Sequence, residues 1–208
     1  MPRDATDRQH FSWRKHGYWM SYPGEYREAT VNCGLAKEKD SHGKKYELNL
    51  GGKHRFIEST IAETCCRLMY GQKREAEWHL ERENWLVRDP GWDLEHEVDG
   101  RIDVKAVPIK WDNPCLMVRY YTPEENHPPY PCTIFLNMWV KMDGIQPVAA
   151  GAVGWMPREA ALAYPVRDEF CGTPLQKPCR CVQHWKQEPL SKLWIKDMAA
   201  SPQLAMFD

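Results

Sequence analysis

The stretch "WDLEHEVDGRIDVKAV" (residues 92–107) sets an aspartate and a lysine two residues apart in a run that otherwise reads as a buried strand. Successive side chains of a strand point to opposite faces, so Ile102, Val104 and Ala106 share one face while Asp103 and Lys105 share the other. Such a pair is either an ordinary salt bridge on a solvated face or half of a metal-dependent hydrolytic site. Cutting a phosphodiester with a divalent cation requires oxygen ligands for the metal and a cation or base near the attacking water. Asp103 offers a carboxylate and Lys105 an amine. Asp93 begins the preceding strand, where an antiparallel hairpin returns it to the neighbourhood of Lys105.

The turn decides whether these groups meet. A two-residue Asp99-Gly100 loop sets Asp93 opposite Ala106 and splits the site across both faces. A three-residue loop of Val98, Asp99 and Gly100, closed by a left-handed glycine, sets Asp93 opposite Lys105 and Glu95 opposite Asp103. Every polar residue then lies on one face. The sequence therefore predicts the three-residue register, Gly100 at positive φ, Glu95 as a further candidate ligand, and a crowd of carboxylates that calls for a cation.

Outward from the hairpin, 208 residues suit one domain with a core of its own. With 28 Lys+Arg against 29 Asp+Glu, overall charge gives no sign of a polyanion partner, so any nucleic-acid surface must be a local patch. Two stretches qualify: "WRKHGYW" (13–19) and "KKYELNLGGKHR" (44–55), where cations alternate with aromatics or glycines. The first 52 residues read as an irregular N-terminal extension with at most a short helix. Residues 53–165 read as the core: a helical pattern to about Trp85 broken near Gly71, the hairpin, then apolar strands in "CLMVRYY", "CTIFLNMWVKM" and "PVAAGAVGWM". Pro157 stands where a first-turn proline opens a last helix. The order of elements indicates a mixed α/β or α+β domain with helices flanking one sheet.

Residues 166–208 read as an aperiodic tail holding a second constellation, Cys171, Cys179, Cys181 and His184, a chemically sensible zinc set. Only one residue separates Cys179 from Cys181, closer than the strong zinc-ligand spacings. The chain opens with no apolar leader and has no run near the roughly 20 apolar residues of a membrane span. The expectation is a cytoplasmic, intracellular protein without a membrane partner, its eight cysteines reduced.

The run "WDLEHEVDGRIDVK" resembles the active-site hairpin of the PD-(D/E)XK nuclease superfamily, which has the restriction-endonuclease-like fold. Asp93 matches its first aspartate, Asp103 its second acid and Lys105 its lysine. Trp92 stands where the proline that names the motif would be. The resemblance spans roughly residues 55–164 and implies one or two magnesium (or manganese) ions held by Asp93, Asp103 and the Val104 carbonyl, with a glutamate from the preceding helix. For that glutamate, 100° per residue places Glu58 within the apolar arc of Ile57, Ile61, Cys65 and Leu68, and Glu63 on the opposite side. The pattern of a small residue, glutamate and then "CCRLMYG" resembles phage-type members and favours Glu63. Glu58 is the preferred residue and Glu63 the alternate.

The resulting expectation is a magnesium-dependent deoxyribonuclease acting on DNA, with a homodimer compatible. The rivals are a non-catalytic binding protein on the same fold, of phage or mobile-element type, and a small zinc-stabilised interaction module centred on the tail.

Overall fold

In the computed structural model, which describes residues 17–41, 54–81, 91–108, 115–125, 129–170 and 173–195, alternating apolar runs become strands and the cysteine-rich 3.6-period run becomes a helix. In chain order these are β1 (Tyr18–Ser21), α1 (Arg27–Ser41), α2 (Arg55–Met69), α3 (Lys73–Leu80), β2 (Leu94–His96), β3 (Gly100–Pro108) and β4 (Cys115–Arg119). They are followed by β5 (Ile134–Asp143), β6 (Gln146–Pro157), α4 (Arg158–Leu162), β7 (Val166–Phe170) and β8 (Thr173–Gln183).

Five strands form the main sheet in the order β1-β6-β5-β3-β2, mixed because β3 and β5 run parallel. Helix α2 covers one face, its Ile57, Ile61 and Cys65 packed with Ile102, Val104, Leu136, Met138, Ala150 and Ala152. The other face is covered by an antiparallel sheet ordered β4-β8-β7, through Leu116, Val118 and Val182 against Phe135 and Met156. The fold is α+β. Helices α1–α3 gather on one face of the sheet, in keeping with the expected helix-flanked sheet, and the second sheet together with α4, through Ala161, takes the opposite face.

Residues 17–41 are not an irregular extension. β1 pairs with β6, and Trp19 is 1% exposed, its ring edge-on to Trp139 at 6.2 Å. Trp19 is therefore core and not part of a nucleic-acid surface, while residues 13–16 of that basic patch lie outside the described residues. Helix α1 escaped a periodicity reading because its buried positions, Thr30, Val31, Cys33 and Gly34, are small or polar and make no apolar stripe. The basic stretch 44–55 lies outside the described residues except for His54 and Arg55, whose guanidinium lies 4.5 Å from the Phe56 ring centre.

The helical pattern breaks at Gly71 as expected. Its φ of 73° is a left-handed value that stops α2, and the N–H groups of Gly71 and Gln72 return to Leu68 and Arg67 carbonyls. Pro157 is the cap before α4, one position earlier than the first-turn site expected. Part of the expected tail is ordered strand: β7 and β8 form a hairpin, and residues 184–195 cross back so that Leu190, Leu193 and Ile195 join the helix-side core. No helix among the described residues is long and apolar enough to cross a membrane.

The docking of α1 on α2 depends on one glycine. A Cβ on Gly34 would lie 2.7 Å from the Ile57 Cα, a backbone atom with little room to retreat. Gly34→Ala is expected to destabilise the protein by about 2 kcal/mol, the usual cost of overpacking, read as a lowered urea midpoint with an unchanged slope.

Candidate active site

The edge of the main sheet is unusual where the opening stretch lies. β2 is only three residues long and pairs with β3 through Leu94↔Ile102, Glu95↔Arg101 and His96↔Gly100. Just before it, the Asp93 N–H still donates to the Ile102 carbonyl at 2.8 Å. One step further along β3 the ladder is continued by a side chain: the Val104 N–H donates to Asp93 Oδ2 at 2.7 Å. In an extended strand the N–H and C=O of one residue point the same way, so the Val104 carbonyl faces this edge as well.

The register differs from the expected one by two residues. The turn is three residues long, but it consists of Glu97, Val98 and Asp99, and Gly100 begins the strand with φ +75°. Asp93 thus falls opposite Asp103 and not Lys105. Because the slip is even, each side chain keeps its expected face. Contacts within the turn and from residues distant in sequence fix this choice. His96 Nδ1 accepts the N–H groups of Val98 and Asp99 at 3.3 Å each. Asp99 Oδ2 accepts the Tyr70 hydroxyl and the Trp194 N–H, both at 2.9 Å. Gly100 is required twice over, since a Cβ there would also lie 2.6 Å from Thr133 Oγ1. The slip also moves Glu95 away from Asp103. It sits opposite Arg101, mostly exposed, with Arg101 Nε 3.3 Å from its carboxylate, and is not among the site's acids.

Asp103 is buried and bonded to its strand neighbour, Lys105 Nζ donating to Asp103 Oδ1 at 2.6 Å. Burial opposes the Lys105 ammonium, but Asp103, Tyr130 and Asp93 outweigh that, and its pKa lies above the ordinary lysine value. Lys105 therefore rests as a cation. Asp93 has the opposite fate. Burial, together with the charges of Glu63 and Asp103, pushes its carboxyl well above the usual range, and Lys105 and the Val104 N–H only partly offset this.

Of the two helix acids, the one whose charge acts on Asp93 is the alternate, Glu63. Glu63 is one of the charges acting on Asp93, whereas Glu58 is a half-buried residue in the first turn of α2 and not one of them. Helix α2 is enclosed by the sheet, α1 and α3, and Glu63 faces the two helices, with His79 Nε2 at 2.8 Å and Lys37 Nζ at 3.4 Å. Burial alone would raise the Glu63 pKa, but Lys37, His79 and Arg67 reverse the effect and hold it below the carboxylate range. Arg67 also fixes Asp93 from behind, its guanidinium donating to the Glu63 and Asp93 carbonyls. Lys37, His79 and Arg67 had no motif to mark them; the only trace was their place on helices flanking the acid.

Asp93, Asp103 and the Val104 carbonyl are hard oxygen donors along one strand edge, the donor chemistry magnesium takes. Among the described residues no group of three or more His, Cys, Asp or Glu side chains forms a ligand set by itself. Magnesium is commonly held by one or two carboxylates, with waters and substrate phosphate completing the shell, so this donor set fits. In the tail, Cys179 and Cys181 pack with Cys115 and Leu175 in a small cluster, His184 lies edge-on against Trp185, and Cys171 lies outside the described residues. No family model, curated protein or solved structure matches the chain.

The raised Asp93 pKa has a signed consequence. A carboxyl whose folded pKa exceeds its unfolded value costs stability in full above the folded pKa, and the cost fades as pH falls from the folded to the unfolded pKa. Asp93→Asn keeps an acceptor for the Val104 N–H and removes the charge. Its melting temperature at pH 7 should exceed that of the unaltered protein, and the difference should shrink on acidification through the raised Asp93 pKa, as a thermal-melt series across pH would record. Glu63 has the opposite sign. Its depressed pKa gives stability above the unfolded value that is lost as pH falls, so Glu63→Gln should cost on the order of 3 kcal/mol at pH 7, measurable by urea unfolding.

Proposed function

We propose that the protein is a metal-dependent nuclease that hydrolyses phosphodiester bonds in DNA, a member of the PD-(D/E)XK superfamily with Asp93, Asp103 and Lys105 as its motif. The observation that carries this reading is the gathering of a carboxylate bonded to the Val104 N–H, a second, buried carboxylate and a lysine at the point where the edge strand stops. A buried anion held against two others is costly unless a cation is supplied.

In this reading Asp93, Asp103 and the Val104 carbonyl hold a magnesium or manganese ion, with Glu63 behind Asp93. When bound, the ion supplies Lewis acidity toward the scissile phosphate and its attacking water. Asp93 is oriented by the Val104 N–H and braced through its own carbonyl by Arg67. Asp103 holds the Lys105 ammonium at the site, where the positive charge orients the water and stabilises negative charge building on the phosphate. Chemistry of this kind depends on position and electrostatics, and fixed partners for each group serve it.

Lys105→Ala and Asp103→Ala are expected to lower magnesium-dependent cleavage of plasmid, linear or single-stranded DNA by a hundredfold or more, roughly the loss on removing one such electrostatic group, with folding retained by circular dichroism. Calorimetry should show weak magnesium binding that vanishes in Asp103→Ala. Full activity in either variant would remove these residues from the mechanism.

A further inference from the structure

Lys105 is one end of a connected series of cations and aromatic rings. Its Nζ lies 5.7 Å from the centre of the Tyr130 ring, which is held edge-on to Phe135 at 5.2 Å. The Tyr130 ring centre is 5.8 Å from that of Tyr121, and the Arg119 guanidinium lies 4.5 Å from the Tyr121 ring centre. The Tyr130 hydroxyl donates to the Arg119 carbonyl at 3.0 Å, which ties the middle of the series to its far end. Tyr121, Tyr130 and Arg119 are all partly exposed.

Beyond Tyr121 the series ends in donors converging on one carboxylate. Glu125 receives Arg119 Nη2 at 2.6 Å and the Thr122 N–H at 3.0 Å, with Lys177 Nζ at 3.9 Å. A guanidinium, an ammonium and a backbone N–H around one pair of oxygens are the partners a phosphate would take, and a carboxylate is a shorter stand-in for it.

We propose that Tyr130, Tyr121, Arg119 and Lys177 form a binding track for an unpaired nucleic-acid strand leading to Lys105, with Glu125 holding the phosphate position until a strand displaces it. The proposal rests on the nuclease reading for what lies at the end of the track. Alternating rings and cations favour a single strand because its bases are free to stack on the rings while its phosphates meet the cations. A duplex keeps its base faces stacked inside and could engage only the cations.

The test is fluorescence anisotropy of a labelled oligothymidylate and a blunt duplex of equal length, in EDTA so that neither is cut. The unaltered protein should prefer the single strand. Tyr121→Ala should weaken that binding about tenfold, the usual effect of losing one stacking ring, Tyr121→Phe should leave it unchanged, and Glu125→Gln should tighten it severalfold. All three variants should keep the parent's melting temperature and its calorimetric magnesium binding. Unchanged binding in Tyr121→Ala, no gain in Glu125→Gln, or equal affinity for the duplex overturns the track. Adding magnesium to the unaltered protein separates the two readings: a bound but uncut oligonucleotide removes the nuclease and leaves the track, whereas cutting with Tyr121→Ala binding unchanged removes the track alone.

Discussion

The backbone N–H of Val104 is answered by a carboxylate and not by a strand, and the rest of the site depends on that substitution. A sheet edge ordinarily presents a row of amide and carbonyl groups that water or another strand must satisfy. Here β2 stops after three residues, and Asp93, the residue just before it, turns its side chain into the ladder. The edge is closed to another strand at that point. It is left open to small ligands, because a carboxylate with one oxygen bonded to Val104 still presents further lone pairs beside the Val104 carbonyl.

Three acids near this edge meet three different electrostatic fates. Glu63 lies between Lys37 and His79, which leave it ionised and satisfied. Asp103 is bonded to Lys105 along its own strand. At Asp93, burial and the charges of Glu63 and Asp103 outweigh the attraction of Lys105. The contrast comes from the elements that supply the partners: α1 and α3 bring bases to Glu63, and β3 brings Lys105 to Asp103. The backbone groups that fix Asp93, the Val104 N–H and the Arg67 grip on its carbonyl, orient the residue while compensating little of its charge.

The hairpin's faces were readable because strand periodicity is two, and a register error of two residues leaves each face intact. The register itself was not readable, since Tyr70 and Trp194, which pin the turn through Asp99, lie far from it in sequence. The break at Gly71 and the strands β5 and β6 were legible for local reasons, a glycine needing positive φ and long apolar runs. Helix α1 and β8 were not, because α1 buries Thr30, Cys33 and Gly34, and β8 carries Pro174, Lys177, Pro178 and Arg180 in place of an apolar alternation. Glu63 falls outside the apolar arc of α2 and is enclosed all the same, because a helix surrounded on several sides has no single inward arc.

The bond from the Trp194 N–H to Asp99 joins residues 95 positions apart, with Trp194 also stacked on His96 at 4.8 Å. During synthesis the ribosome delivers Asp93, Asp103 and Lys105 while this clamp is still unmade, and at roughly 5–20 residues per second the interval lasts several seconds. The hairpin that carries the acids therefore sets its turn against Trp194 only once that later residue has been made. Nascent chains broken off before that residue would carry the whole acidic motif without the contacts that hold its register.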